Sequence, residues 1–287
     1  MFEFNFYPDT KKEERKSDST VVYSDSVQSF TLDDGNENVL NLRINVQEVS
    51  NDLRLYYIDQ NALEDYLRGL QNDQQEELSV FGAVQTHEDV KPGLIEGGFT
   101  LWDGSRDLVH YIFKHFMQKL NGKNVLELGC GCGLPGILAV KAGARFVRFQ
   151  DYNSEVLKWW TIPNVNINLK SHNEAGNHGE RSTLEFFSGD WCHLSRSWQL
   201  NNDVKFEYIF TSETIYRSDL YERLHEILET TLSRNGIVLL ACKASYGPGG
   251  SMFDWLNFIE DQGVFQATVC EITNSGAIRY VVQMTRL

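Results

Sequence analysis

The sequence predicts an α/β protein built on a mostly parallel, seven-stranded sheet that closes with an antiparallel hairpin. Three observations predict it. From Asn121-Gly122 onward, short apolar β-rich runs alternate with longer stretches of helical spacing, the order of a doubly wound sheet. The first run, Val125-Leu126-Glu127-Leu128, opens into the glycine turn Gly129-Cys130-Gly131-Cys132-Gly133, the place where such sheets bind a nucleoside. The last two runs, Phe265 to Ile272 and Ile278 to Thr285, are joined by only Thr273-Asn274-Ser275-Gly276-Ala277, too short for a crossover helix, so they must pair antiparallel.

In chain order, residues 1–85 read as an acidic, partly flexible N-terminal region and 86–287 as the sheet domain. The first part has a polar start (Lys11 to Thr20), strand-like alternation near Val39 to Val49 and a short helical run from Ala62 to Leu70. Turns at Pro92-Gly93 and Gly97-Gly98 then precede a helix from Ser105 to Leu120, whose Leu108, Ile112, Phe113 and Phe116 form one apolar face. Strands are expected at Asn124 to Leu128, Phe146 to Gln150, Leu184 to Ser188, Tyr208 to Thr211 and Ile237 to Ala241. Helices are expected at Leu134 to Ala142, at Ser154 to Leu169 punctuated by Pro163, and at Leu220 to Leu232. The polar stretch Lys170 to Ser182 reads as a surface insertion with solvated His172 and His178. A parallel sheet closed in this way is the Rossmann-like architecture of class I methyltransferases.

Charge excludes some partners. The 287 residues carry a formal charge of −14, and residues 1–100 alone hold 20 acids against 8 bases. A nucleic-acid backbone needs a basic footprint, so no nucleic-acid partner is expected. The acidic third either solvates the surface or attracts a basic protein. No apolar run approaches the roughly 18–20 residues of a membrane span, and the first residues lack the cationic and apolar regions of a signal peptide. Five cysteines without paired spacing suit a reducing compartment and give no metal site. The expected location is cytoplasmic and nuclear.

The glycine turn by itself also fits a dinucleotide fingerprint, Gly131-x-Gly133-x-x-Gly136. Glu127 separates the readings: a carboxylate before the turn would repel a pyrophosphate and suits the ammonium and sulfonium groups of S-adenosylmethionine. Asp151, at the end of strand two, is placed to accept both ribose hydroxyls, with a helix N-cap as its alternative role. Ser188-Gly189-Asp190-Trp191 offers a backbone donor, a carboxylate and an aromatic edge to adenine. Thr211-Ser212-Glu213-Thr214-Ile215-Tyr216 ends strand four where the methyl group must lie.

Glu96-Gly97-Gly98-Phe99-Thr100-Leu101-Trp102, the glycine turn, Gln150-Asp151-Tyr152-Asn153, Phe187-Ser188-Gly189-Asp190-Trp191, Thr211 to Tyr216 and Lys243 to Gly250 together resemble the protein-histidine methyltransferases, over about residues 90–287. That family modifies one histidine of large-subunit ribosomal protein L-three. The resemblance implies S-adenosylmethionine as cofactor, with S-adenosylhomocysteine as product. It carries the cofactor contacts onto Leu101, Trp102, Asp103, Gly104, Ser105, Gly129, Gln150, Asp151, Tyr152, Gly189, Asp190, Trp191 and Ser212. The family usually has a glutamate and a cysteine after the tryptophan, where this chain has Asp103 and Gly104. Ser245-Tyr246-Gly247-Pro248-Gly249-Gly250 resembles a family loop and suits a lid over the substrate.

The leading reading is therefore an S-adenosylmethionine-dependent methyltransferase acting on a histidine of a basic protein, a large-subunit ribosomal protein. A protein-lysine methyltransferase is the alternative within the enzymes, and a binding module or ribosomal-protein chaperone is the alternative of another class. Neutral imidazole needs no strong base, only an acceptor that holds the proton on its non-reacting nitrogen. Glu213 is the candidate acceptor, or else a structural anchor of its loop. Tyr216 is the candidate wall or hydrogen-bond partner.

Overall fold

The computed structural model describes residues 26–70, 90–174, 182–201, 204–274 and 276–287. The polar start at Lys11 to Thr20 and His178 lie outside them. The N-terminal elements are β1 (Gln28–Phe30), β2 (Ile44–Ser50), β3 (Leu53–Ile58) and helix α1 (Gln60–Gly69). A two-residue hairpin follows, β4 (Val90–Lys91) with β5 (Ile95–Glu96), and then α2 (Asp103–His115). The alternating core runs through β6 (Asn124–Leu128), α3 (Leu134–Lys141), β7 (Phe146–Asp151), α4 (Ile162–Glu174), β8 (Thr183–Ser188), α5 (Trp191–Leu200), β9 (Phe206–Ser212), α6 (Tyr221–Thr231), β10 (Leu232–Lys243) and α7 (Met252–Gln262). It ends in the strands β11 (Phe265–Thr273) and β12 (Arg279–Arg286).

The main sheet has the order β1-β8-β7-β6-β9-β10-β12-β11. Neighbours from β8 to β10 pair in parallel, and β12 pairs antiparallel with both β10 and β11. This is the sheet of a class I methyltransferase with one strand added. The eighth strand is β1, antiparallel on the β8 edge. Its three residues are too few to give a readable alternation in the sequence. Side chains alternate across the sheet as a period of two requires. Val125, Tyr208, Phe210, Leu239 and Ala241 join the core under α2, α3 and α4. Leu126, Leu128, Ile209, Val238, Leu240 and Cys242 join the core under α5, α6 and α7.

One expectation changes. The helix after β7 does not break at Pro163: Ser154–Val156, a π turn at Leu157–Thr161 and α4 are continuous, and α4 runs to Glu174 into the expected insertion. The π turn absorbs the missing proline donor near the start of α4 and aims Thr161 Oγ1 at the Gly131 carbonyl, 2.6 Å away. The described elements before residue 71 pack on this core. Val39, Leu55, Ile58, Leu63 and Leu67 are fully buried in the same cluster as Trp160 and Val165. The exposed edge of β3 is satisfied by an asparagine ladder on α4. Asn164 accepts from the Ile58 amide (2.8 Å), and Asn168 both accepts from Tyr56 N (3.1 Å) and donates to Tyr56 O (2.7 Å). Residues i and i+4 of a helix share a face, which is why the pair can follow an extended strand. Among the described residues no helix is long and apolar enough to cross a membrane.

Because α1 belongs to the common core, Leu63→Ala should lower the stability of the whole chain by about 2–5 kcal/mol without changing the dependence on denaturant. Urea unfolding followed by tryptophan fluorescence checks this; a separate early transition with an unmoved main one would mark residues 44–70 as an independent unit.

Candidate active site

The carboxyl ends of β6, β7, β8, β9 and β10 surround a cavity of about 400 Å³. Glycines make its floor. Gly129, Gly131 and Gly133 all have left-handed backbones, with φ of 61°, 47° and 80°, which a side chain would strain. A Cβ on Gly129 would sit 2.8 Å from the Thr214 methyl, while one on Gly131 would meet nothing within 4 Å, so the turn packs on one side and opens on the other.

Behind this floor stands Gln150, fully buried. Its Oε1 accepts from Gly129 N (3.2 Å) and from Trp191 Nε1 (2.8 Å), and its Nε2 donates to Gly189 O (3.0 Å). Asp151, next along β7, is on the cavity wall. Its Oδ2 accepts from Gly131 N (2.9 Å) and its Oδ1 from Asn153 N (3.1 Å). Burial pushes its carboxyl up to about 6, against the pull of those amide donors. Asp190 caps α5 through Cys192 N (3.0 Å) and pairs with Arg223 at 2.8 Å.

The opposite wall begins at Ser212 and Glu213. Glu213 has a left-handed backbone (φ 57°), the one non-glycine residue so placed among those described. Its Oε2 accepts from the Tyr246 hydroxyl at 2.5 Å. Its Oε1 has no hydrogen-bond partner and lies against Gly104, where a Cβ would come within 2.5 Å of it. Burial raises the Glu213 carboxyl above its ordinary range, partly offset by the Tyr246 hydroxyl and the Lys243 ammonium. The Lys243 ammonium lies 4.8 Å from the centre of the Trp102 ring, which also faces the cavity.

Of the sequence-predicted residues, Trp102, Gly129, Asp151, Tyr152, Gly189, Asp190, Trp191, Ser212, Glu213 and Tyr216 line the cavity. Leu101, Asp103, Gly104, Ser105 and Gln150 do not. Leu101 N donates to Gln60 Oε1 (2.9 Å), the Asp103 carboxylate is exposed and pairs with Arg279 (3.4 Å), and Ser105 is buried in the first turn of α2. Glu127 also differs from expectation. It is buried behind the turn and accepts from Gly136 N (2.7 Å) at the start of α3, so it fastens the turn to the helix and does not face a cationic ligand. Lining residues to which sequence reasoning gave no individual role include Glu96, Thr214, Arg217, Lys243 and Tyr246. The last two lie in the Lys243 to Gly250 stretch that was recognised as a unit, and their spacing alone carries no chemical signal.

Parallel strands with a glycine turn after the first and an acid at the end of the second, closed by β12 lying antiparallel between β10 and β11, give the fold of the class I methyltransferases, a class whose methyl donor is S-adenosylmethionine. The sequence profile of a family described as lysine methyltransferase matches residues 84–257, and the chain belongs to that family. Relatives include the histidine protein methyltransferase 1 homolog of Rattus norvegicus, 42% identical over 221 residues (71% of this chain, 60% of that protein). The Dictyostelium discoideum homolog is 41% identical over 165 residues, covering 57% and 49% of the two chains. Histidine protein methyltransferase 1 of Schizosaccharomyces pombe is 31% identical over 198 residues, 58% of each. The chain thus spans 60% or less of the length of these relatives.

The cavity fits the donor: its volume is that of a small-ligand site, its floor is bare backbone and its walls are aromatic. A test of the Gly104 geometry follows. Glycine to alanine in a helix normally stabilises by about 0.5–1 kcal/mol, but Gly104→Ala should destabilise by about 1–3 kcal/mol by displacing the Glu213 carboxylate. In a Glu213→Ala background the same change should regain the normal sign. A double-mutant cycle by denaturant titration measures the coupling, and simple additivity would contradict the contact.

Proposed function

We propose that the chain transfers a methyl group from S-adenosylmethionine to a histidine side chain of a basic protein, with a large-subunit ribosomal protein as the acceptor. Relatives up to 42% identical that are named histidine protein methyltransferases support histidine as the target, and the resemblance of the motifs supports the ribosomal acceptor. Bound in the cavity, the cofactor supplies a methyl group on a positively charged sulfur. Asp151 would hold the ribose hydroxyls, Gly129 and Gly131 would let the cofactor approach the backbone, and Trp191 would border the base.

One observation carries the acceptor side. The Glu213 carboxylate is fixed in the wall by Tyr246, and a carboxylate oxygen with one donor keeps capacity for a second. A ring N–H held there leaves the other nitrogen's lone pair free to attack. A lysine acceptor would first have to lose a proton, at about 4.6 kcal/mol from pKa 10.4 to pH 7. Lys243 in the same wall favours a neutral ring over a protonated one.

Ribosomal protein from cells with and without this protein should differ in methylhistidine on acid hydrolysis. Methyllysine alone would move the assignment to lysine, and no difference would favour the binding-module reading. With the purified acceptor, kcat/KM should rise through about pH 6.5 and level off by about pH 8. Glu213→Gln should lower kcat while sparing cofactor affinity.

The cofactor side has its own pH signature. Ionised Asp151 is the form that accepts ribose hydroxyls, and burial holds its pKa at about 6. Affinity for S-adenosylhomocysteine should therefore increase about tenfold from pH 5 to pH 7 and then level off, and Asp151→Asn should flatten the dependence. Calorimetric titration at several pH values checks both; an affinity in the parent chain that is independent of pH over this range would remove Asp151 from the ribose.

A further inference from the structure

The hairpin β4–β5 and the residues after it form a strap along the cavity, which Glu96, Gly97, Gly98 and Thr100 line. The strap is fastened on two sides. Toward the end of β7, the Tyr152 hydroxyl donates to Gly93 O (3.0 Å), Asn153 Nδ2 donates to Leu94 O (2.7 Å), and Glu96 N donates to Asn153 Oδ1 (3.3 Å). Toward the end of β9, the Glu96 side chain makes the attachment. The Glu96 carboxylate accepts from the Tyr216 hydroxyl and from Arg217 Nη1 (3.2 and 3.3 Å). Its Oε1 also accepts from Gly93 N (2.8 Å), which holds the carboxylate in place. The glycine turn of β6 lies between β7 and β9 in the sheet, so the strap spans the end of that strand.

The Glu96 side chain is only 8% exposed, so its charge-assisted bonds act with little screening. Beyond it, Gly97 and Gly98 have φ of 109° and 54°, conformations that let the backbone change direction before α2. Arg217 is also held by Asp219 at 2.5 Å, so it stays on its own side of the cavity when the Glu96 bond is cut.

We propose that Glu96 is a positioning residue: it closes the strap over the cofactor and sets Tyr216 and Arg217 on the acceptor side. The inference rests on reading the cavity as the cofactor site, and it adds a residue to which neither the motifs nor the comparisons give a role. Cutting the bond at Glu96 removes the strap's joint toward β9 and leaves the bonds toward β7 in place. Cofactor exchange then becomes faster and the acceptor wall loses its fixed tyrosine.

The test is stopped-flow tryptophan fluorescence of the full chain with S-adenosylhomocysteine. Glu96→Ala should speed dissociation by about tenfold or more, and Glu96→Gln, which keeps an acceptor for Tyr216 and loses the ion pair, should fall between it and the parent chain. Tyr216→Phe should also speed dissociation, and combining it with Glu96→Ala should add little, because both cut one joint. A purely structural role would lower the melting temperature and leave the dissociation rate within twofold; that result in a folded Glu96→Ala variant overturns the proposal. Should Glu96→Ala fail to fold, Glu96→Gln and Tyr216→Phe decide it. A parent chain that shows no binding signal would count against the cofactor reading itself, whereas binding with unchanged rates counts against the strap alone.

Discussion

The site depends on one buried amide. Gln150 does not line the cavity, yet its side chain joins three strand ends: Gly129 after β6, its own strand β7, and Gly189 with Trp191 after β8. A buried amide must satisfy both its oxygen and its nitrogen, and only one orientation of the group does so here. That requirement fixes the left-handed Gly129, the direction of the Gly189 carbonyl and the plane of the Trp191 ring together. A family resemblance alone assigns Gln150 to the cofactor; the geometry gives it to the support beneath.

Similar economy appears on the opposite wall. Glu213 occupies space that Gly104 leaves open at the start of α2, and the same helix is also held by Arg279, which donates to Asp107 at 2.6 Å. The departure at Gly104 from the usual family residue is therefore matched by its neighbour. Removing a side chain there makes room for a carboxylate whose left-handed backbone would otherwise be hard to explain. The N-terminal elements join the support. Tyr57 and Gln47 accept from Arg106 on α2, and Trp160 Nε1 donates to Ile58 O at 3.0 Å, so the helix carrying Trp102 at its start rests on residues 44–58.

The parallel core was legible in the sequence because its central strands β6 and β7 are buried on both faces and bounded by glycine or polar turns; β6 was placed at Asn124–Leu128, the residues it occupies. The antiparallel hairpin was legible from the length of its connection. Two helices were missed. The start at Asp190-Trp191 was read as a ligand turn, since a capping aspartate and a binding aspartate look alike in sequence. The helix from Met252 does carry a signal, Ser251 and Asp254 at capping-box spacing, with Ser251 Oγ accepting from Asp254 N at 3.0 Å. The docking of residues 28–70 was not legible because it relies on Asn164 and Asn168, polar residues that a periodicity argument assigns to solvent. Glu127 misled for a related reason. Sequence position placed a carboxylate beside the turn, but the side of the strand it faces, and the amide of Gly136 waiting there, are properties of the packed helix.

The most direct measurement is calorimetric titration of Gln150→Leu with S-adenosylhomocysteine, with folding confirmed by circular dichroism. Leucine keeps the volume and removes all three hydrogen bonds. Because the floor is organised by that amide, affinity should fall about tenfold or more although no residue of the cavity wall has changed. A folded Gln150→Leu chain that binds as tightly as the parent would show that the glycine turn and Trp191 hold their places without it, and would contradict the account.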